Sequence, residues 1–354
     1  MESDQNEFPM NGGDGKYSYY RNSSPQKWGL DSAKALIQEV IDENLDVKQL
    51  LSSSRRVLSI ADLGCSVGPN TFFAVRHIIE SIKLKSQSQG LPGSDPLEFQ
   101  VFFNDHVTND FNTLFKSLPS LDDRPYYTAS VPGSFHGRLF PVDSVHFFHS
   151  SSSIQWLSKV PEEVVKKDSP ACNEGKVYFT SSPREVEEAY GMQFSKDINS
   201  FLNARAVELV SGGLMVLIMV SVPPNGKCVL TELFDLLGSA LMDLVSTGLV
   251  SEDKVDSFNL PMYIPTLEYL KGVIERNGQF KLERIESWLI PSNSDAESTV
   301  LNLRAGLEGL VKKHFGSEIV DKVFYQFEKK ITDSCVLTNK DYKVPEVLFV
   351  TLKR

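Results

Sequence analysis

Three short runs hold residue types that handle small charged ligands. The first is Asp62-Leu63-Gly64-Cys65-Ser66-Val67-Gly68, which follows the apolar run Val57-Leu58-Ser59-Ile60-Ala61 and precedes a helical pattern over 71–84. Glycines let a backbone approach a ligand, and the helix that follows offers free N–H groups. A pyrophosphate cradle needs G-x-G-x-x-G, but Ser66 and Pro69 occupy the second and third glycine positions, so NAD is disfavoured. An acidic residue just before the turn suits a ligand with an amino-acid moiety, its ammonium and carboxylate held by Asp62 and backbone groups.

The second run ends at Asp105, at the carboxyl end of an apolar strand pattern over 99–103. In doubly wound sheets a carboxylate so placed accepts hydrogen bonds from both hydroxyls of an adenosine ribose. Asp105 stands 41 residues beyond Gly64, more than the usual ~20, and the polar Gly/Pro loop over 86–96 accounts for much of the excess. A strand-to-helix turn with an ordinary helix-capping Asp is the bland alternative for this pair. The third run is His149-Ser150-Ser151-Ser152-Ser153-Ile154-Gln155-Trp156, after a strand pattern over 144–148. No G-x-S-x-G elbow exists, and adjacent Ser and His at a strand end face opposite ways, so a hydrolase is not indicated. His146 and His149 have no third ligand at metal-site spacing, which favours packing or hydrogen bonding, and Trp156 is equally readable as core.

The elements that must position these residues alternate strand and helix. The run 57–61, the helix over 71–84 and the strand over 99–103 make a βαβ unit of the parallel-sheet type. Further strands are predicted at 144–148, 176–180, 214–222 and 347–352, and an initial helix over about 25–40 follows a Gly/Tyr-rich arm over 10–20. After Pro224 the pattern turns helical. The expected organisation is an α/β domain over 1–222 and 306–354, its N-terminal arm binding substrate, with a mainly helical cap over 223–305.

A net charge of −10 repels phosphate backbones and anionic membranes, which argues against nucleic acid and membrane partners. The longest apolar run, 214–220, falls far short of the ~20 residues of a spanning helix, and no secretory signal opens the chain. Four scattered cysteines without a C-x-x-C pair suit a reducing, cytoplasmic setting.

Six motifs in order carry a resemblance over nearly the whole chain. They are M-N-G-G-D-G-x-x-S-Y-x-x-N-S-x-x-Q (10–26), A-D-L-G-C-S-x-G-P-N (61–70), N-D-x-x-x-N-D-F-N (104–112), V-P-G-S-F-x-G-R-L-F (131–140), H-S-S-x-S-x-x-W-L-S (149–158) and F-N-x-P-x-Y-x-P (258–265). With them the sequence resembles the plant SABATH methyltransferases, which methylate salicylate, jasmonate and related acids, or xanthine nitrogens. The resemblance implies a Rossmann-like class I methyltransferase sheet and S-adenosylmethionine as donor, held by Tyr19, Ser23, Gly64, Cys65, Asn70, Asp105, His106, Ser134 and Phe135. It implies that Gln26 and Trp156 donate hydrogen bonds to the carboxylate of a small organic acid, and it suggests a homodimer. A carboxylate, with a solution pKa of ~4, is already ionised at neutral pH, so such a transfer needs no general base.

Ser152 stands where many members of that family have an aromatic residue, and Gln155 where salicylate-type members have Met. Both changes make the pocket wall smaller or more polar, leaving room for a bulkier or hydroxylated acid. His106 replaces the usual leucine. Some members hold magnesium near the cap, and the matching positions are Asn173, Asp256, the Phe258 carbonyl and Asn259, whose oxygens suit a hard cation and would serve it structurally. N-methylation of a purine-like heterocycle, or ligand binding without turnover on the same fold, are the alternative readings.

Overall fold

The structure, a computed structural model, describes residues 8–51, 56–91, 97–224, 228–290 and 295–354. Residues 92–96 of the predicted loop over 86–96 lie outside the described residues. The arm leads through α1 (Tyr19–Asn22), α2 (Ser24–Ser32), α3 (Lys34–Asn44) and α4 (Val47–Leu50) to β1 (Val57–Leu63) and α5 (Pro69–Ser88). Then come β2 (Glu98–Asp105), α6 (Phe111–Lys116), β3 (Tyr127–Pro132), β4 (Val145–Ser151), α7 (Arg184–Glu208) and β5 (Leu209–Ser221). The chain closes through α8 (Val229–Ser246), α9 (Glu252–Asp256), α10 (Leu267–Asn277), β6 (Lys281–Leu289), α11 (Ala296–Phe315), α12 (Ser317–Ser334) and β7 (Glu346–Lys353).

The strands form one sheet in the order β3-β2-β1-β4-β5-β7-β6. β1 to β5 pair in parallel, and β7 runs antiparallel to both β5 and β6. The strand order reverses between β1 and β4, which opens a crevice at the carboxyl ends of these strands. Asp62, Asp105 and His149 all stand at that edge.

Both faces of the sheet are covered, so its central strands read as continuous apolar runs rather than alternating ones. One face packs on Leu30, Ile37 and Val40 of α2 and α3 and on Phe72, Val75, Ile78 and Ile79 of α5. The other packs on Val186, Phe194, Ile198 and Phe201 of α7 and on Leu270 and Ile274 of α10. Pro69 opens α5. Its missing N–H falls in the first turn, where no intrahelical partner exists in any case.

Four expectations need correction. The helix predicted over 25–40 divides at Ala33, whose N–H is shared between the Gly29 and Leu30 carbonyls, tightening the turn between α2 and α3. Residues 176–180 form no strand. Val177 and Tyr178 are buried there because they pack under α8 against Leu233, Phe234 and Leu237, and the Tyr178 hydroxyl accepts from the Ile264 N–H. Residues 281–289, placed in the cap, are strand β6 of the sheet. Conversely, α12, placed in the α/β domain, shares an apolar cluster with α8 through Val320, Val323, Phe324 and Phe327. No helix among the described residues is long and apolar enough to cross a membrane.

Candidate active site

A cavity of about 290 Å³ opens at the crevice and reaches under the cap. Of the residues expected to bind ligand, Tyr19, Gln26, Gly64, Asp105, His106, Phe135, Ser152, Gln155 and Trp156 line it. Ser23, Asp62, Cys65, Asn70 and Ser134 do not.

The donor half is built on the β1–β2 register, which pairs Leu63 with Asn104 and so sets the turn after β1 beside Asp105. The Gly64 and Cys65 N–H groups both donate to the Asn104 carbonyl, at 2.9 Å each. Gly64 has φ 80°, and a Cβ there would collide with the Ser153 side chain, whose hydroxyl already donates to the Gly64 carbonyl at 3.2 Å. The glycine is therefore fixed by conformation and by space at once. Ser66, in the same turn at φ 51°, donates its N–H to Asp105 Oδ2 at 2.7 Å, while the His106 N–H donates to Oδ1 at 2.8 Å. Each carboxylate oxygen keeps a lone pair for a ligand. Burial raises the Asp105 pKa from its ordinary value, and these N–H bonds oppose the rise. Burial likewise raises that of Tyr19, which stays a neutral phenol.

Asp62 corrects an expectation. It is 4% exposed, and both its oxygens are engaged, by His149 Nδ1 at 2.6 Å and by the Thr71 hydroxyl. The carboxylate thus locks the turn to β4 and to the start of α5 instead of facing the cavity. Ser23 and Asn70 also act behind the wall: Asn70 Nδ2 donates to Ser23 Oγ at 3.0 Å and to the Ser23 carbonyl at 3.3 Å, tying the arm to α5. His146 is structural, since its Nδ1 accepts from the Ser59 N–H at 3.0 Å and burial lowers its pKa, keeping the ring neutral.

Phe135 reaches the donor half from a loop that is braced by a pair the sequence did not single out. Arg205 and Glu208, both fully buried on α7, bond through Nε–Oε2 at 2.7 Å. Arg205 also donates to the Phe135 and Gly137 carbonyls at 2.8 Å each, and Glu208 Oε1 accepts from the Leu139 and Phe140 N–H groups at 2.5 and 2.9 Å. Two residues thereby satisfy four backbone groups of one loop.

The acceptor half lies between α2, the β4–cap connection and α11. The backbone around Trp156 is held to the cap: the Tyr263 N–H donates to the Gln155 carbonyl at 2.9 Å and the Leu157 N–H to the Pro261 carbonyl at 2.8 Å. The Gln155 side chain is 6% exposed and its Oε1 has no partner among the described residues. Ser298, Thr299 and Asn302 of α11 add polar lining, and Met10, Leu233, Phe234, Met262 and Leu307 make up much of the rest. Among the described lining residues the titratable groups are Tyr19, Asp105 and His106, all on the donor half.

Asn173 Oδ1 accepts from the Ser182 hydroxyl at 2.5 Å, Asn259 Oδ1 from Asn173 Nδ2 at 2.7 Å, and Asp256 Oδ1 from the Gly175 N–H at 2.8 Å. Asn173 Nδ2 also donates to the Tyr178 carbonyl at 3.2 Å, so neither amide can be turned around without facing two like groups together. Asn173, Asp256 and Asn259 are thus knit to each other and to the segment 175–182 by hydrogen bonds alone, and magnesium stays an expectation of the resemblance.

Comparison with known proteins agrees with this geometry. The family model described as SAM dependent carboxyl methyltransferase matches residues 5–354. The chain is 43% identical to loganic acid O-methyltransferase of Catharanthus roseus over 356 residues, covering 98% of this chain and 94% of that protein. It is 37% identical to caffeine synthase 1 of Camellia taliensis over 360 residues, covering 97% and 94%. A solved structure of loganic acid methyltransferase with SAH superposes with a TM-score of 0.92 at 42% identity, covering 98% of each chain.

Proposed function

The chain belongs to the S-adenosylmethionine-dependent carboxyl methyltransferases, and on that premise we propose that its acceptor is a hydroxylated acid bulkier than a benzoate, gripped by Gln26 and Trp156. The observation that carries this reading is the acceptor half itself, which offers amide, indole and hydroxyl groups and no acid or base among its described lining. A nucleophile entering it must arrive already ionised, as a carboxylate does and a purine N–H does not. Gln155 narrows the acid further. Its polar side chain lines the cavity, and a hydroxyl on the acid, both donor and acceptor, suits an amide wall.

S-adenosylmethionine supplies a methyl group already activated on a positive sulfur. The residues here fit that donor: Gly64 lets the backbone come close, and Asp105 keeps lone pairs for the ribose hydroxyls. In this reading Gln26 and Trp156 orient the carboxylate for in-line attack, and the apolar lining from the cap excludes water. Because a negative carboxylate and a positive sulfonium neutralise each other in the reaction, a dry cavity favours the transition state over the separated, solvated charges. No residue has to move a proton. Magnesium takes no part in this reading. The homodimer implied by the resemblance and the cytoplasmic setting suggested by the scattered cysteines remain parts of the proposal.

Substrate size provides the test. Ser152 lines the cavity at φ 56°, a left-handed conformation whose cost falls on serine and tyrosine alike through their Cβ, so Ser152→Tyr acts through the space it fills. Against a bulky acid, tyrosine adds overpacking of ~1–3 kcal/mol that a benzoate-sized acid escapes. The ratio of kcat/KM for acids graded from benzoate to the loganic acid of the relative is therefore expected to shift toward the small end in this variant. An equal fall for all of them, or a wild-type preference for benzoate, would contradict the proposed acceptor.

A further inference from the structure

The side chain that meets the carboxylate has to present its NH₂ and not its carbonyl oxygen, and a glutamine has no intrinsic preference between the two. Gln26, on α2, is turned by a neighbour 276 residues away in the chain: Asn302 Nδ2 donates to Gln26 Oε1 at 3.0 Å. The same nitrogen donates to the Asn22 carbonyl at 2.6 Å. A backbone carbonyl can only accept, so this bond fixes which end of the Asn302 amide is nitrogen, and the atom of Gln26 facing that nitrogen must then be its oxygen. Gln26 Nε2 has no hydrogen-bond partner among the described residues, and the side chain lines the cavity.

Asn302 is itself held in place. The arm docks on α11 through the Asn11 N–H, which donates to the Ala305 carbonyl at 2.8 Å, and through Tyr17, whose ring lies 3.5 Å from the Arg304 guanidinium carbon. Arg304 is anchored in turn by Glu308 at 2.5 Å and Asp321 at 2.6 Å. The arm, α2 and α11 are thus one assembly at this point, with the Asn302 amide at its centre.

We infer that Asn302 is a positioning residue for the methyl transfer: it takes the oxygen of the Gln26 amide so that the amide nitrogen is left to donate to the acceptor's carboxylate. The inference rests on the reading of Gln26 given above. An unheld Gln26 presents the wrong end part of the time and repels the carboxylate when it does. The loss appears in recognition of the acid and not of the donor, because Asn302 has no bond to the residues that line the donor half.

A double-mutant cycle tests this with KM for the acid and dissociation constants for S-adenosylhomocysteine. Gln26→Ala is expected to raise the acid KM by about tenfold or more, since it removes a hydrogen bond to a charged group. Asn302→Ala should raise it by about three- to tenfold, and the double variant should be no worse than Gln26→Ala alone within about twofold, since a residue acting through Gln26 has no effect without it. Affinity for S-adenosylhomocysteine should be unchanged throughout. An unchanged acid KM in Asn302→Ala overturns the inference. So does an Asn302 effect that persists in full without Gln26, which would mean direct contact with the acid, or a parallel loss of S-adenosylhomocysteine binding, which would mean a structural role. An unchanged acid KM in Gln26→Ala overturns instead the reading of Gln26 as the carboxylate's donor. Should Asn302→Ala not fold, Asn302→Leu fills the same volume without a donor and is expected to give the same cycle; failure of both to fold would mark Asn302 as structural and overturn the inference.

Discussion

Asp105→Ala is expected to weaken S-adenosylhomocysteine binding by at least tenfold, read by calorimetry. In the proposed donor site its two oxygens take one ribose hydroxyl each, and hydrogen bonds to a charged group contribute ~1.5–3 kcal/mol apiece. The same oxygens hold the Ser66 and His106 N–H groups, so the turn that shapes the site loses its brace as well. A group whose pKa is raised on folding adds stability below its ordinary pKa and loses it as pH rises through the raised value. The ionised carboxylate is therefore held at some expense to the fold of the empty enzyme, and donor hydroxyls relieve it. Binding should weaken on acidification at a higher pH than an ordinary aspartate would give. Undiminished affinity in Asp105→Ala would return this residue to the role of a helix-capping or turn-bracing carboxylate.

The largest effect on stability is expected at Arg205. Arg205→Met leaves the fully buried Glu208 with the half-exposed Arg138, 3.4 Å away, as its cation and strips the Phe135 and Gly137 carbonyls of their donor. Breaking a buried ion pair by removing one member costs ~3–5 kcal/mol, and urea unfolding of the variant is expected to show a loss of that order. Part of the loss should appear as weaker donor binding, because the loop that slackens carries the Phe135 ring into the cavity. Burial pulls the Arg205 pKa down while Glu208 holds it up, so the pair stands or falls together. A change below 1 kcal/mol with unaltered donor affinity would mean that the loop is held by its packing alone, through contacts such as the perpendicular Phe135–Phe201 rings at 6.0 Å.

What the sequence made legible follows from where each element sits. β1, β2, β4 and β5 lie inside the sheet and read as largely apolar runs, and Gly64 and Asp105 stood out because they follow such runs at the edge where these sheets bind ligands. β3 and β6 escaped notice for the opposite reason. Both are edge strands, and the segment KLERIESWL is half exposed along its length, so neither a buried run nor a clean alternation marks it. Residues 176–180 misled because a short apolar run looks the same whether it enters a sheet or packs under a helix.

At the site, types and local spacing gave away the residues that line the cavity but not those that hold them. Asn302 and Gln26 are joined across 276 residues, and Arg205 reaches the loop at Phe135 across 70, distances at which no local pattern speaks. Asp62 shows the same limit from the other side. Its place before the turn suggested a ligand contact, whereas His149 and Thr71, distant in sequence or masked by the helix pattern, had already claimed both oxygens.

The central claim is that an acid-bearing substrate is methylated on its carboxylate by a cavity that supplies no base on the acceptor side. The most direct measurement follows methyl-labelled S-adenosylmethionine into product with a hydroxylated acid and then exposes that product to alkali. Complete release of the label as methanol is the expected result, since a methyl ester is cleaved by hydroxide. Label that survives alkali, as an N-methyl or an ether methyl does, would place the transfer on another atom and contradict the account.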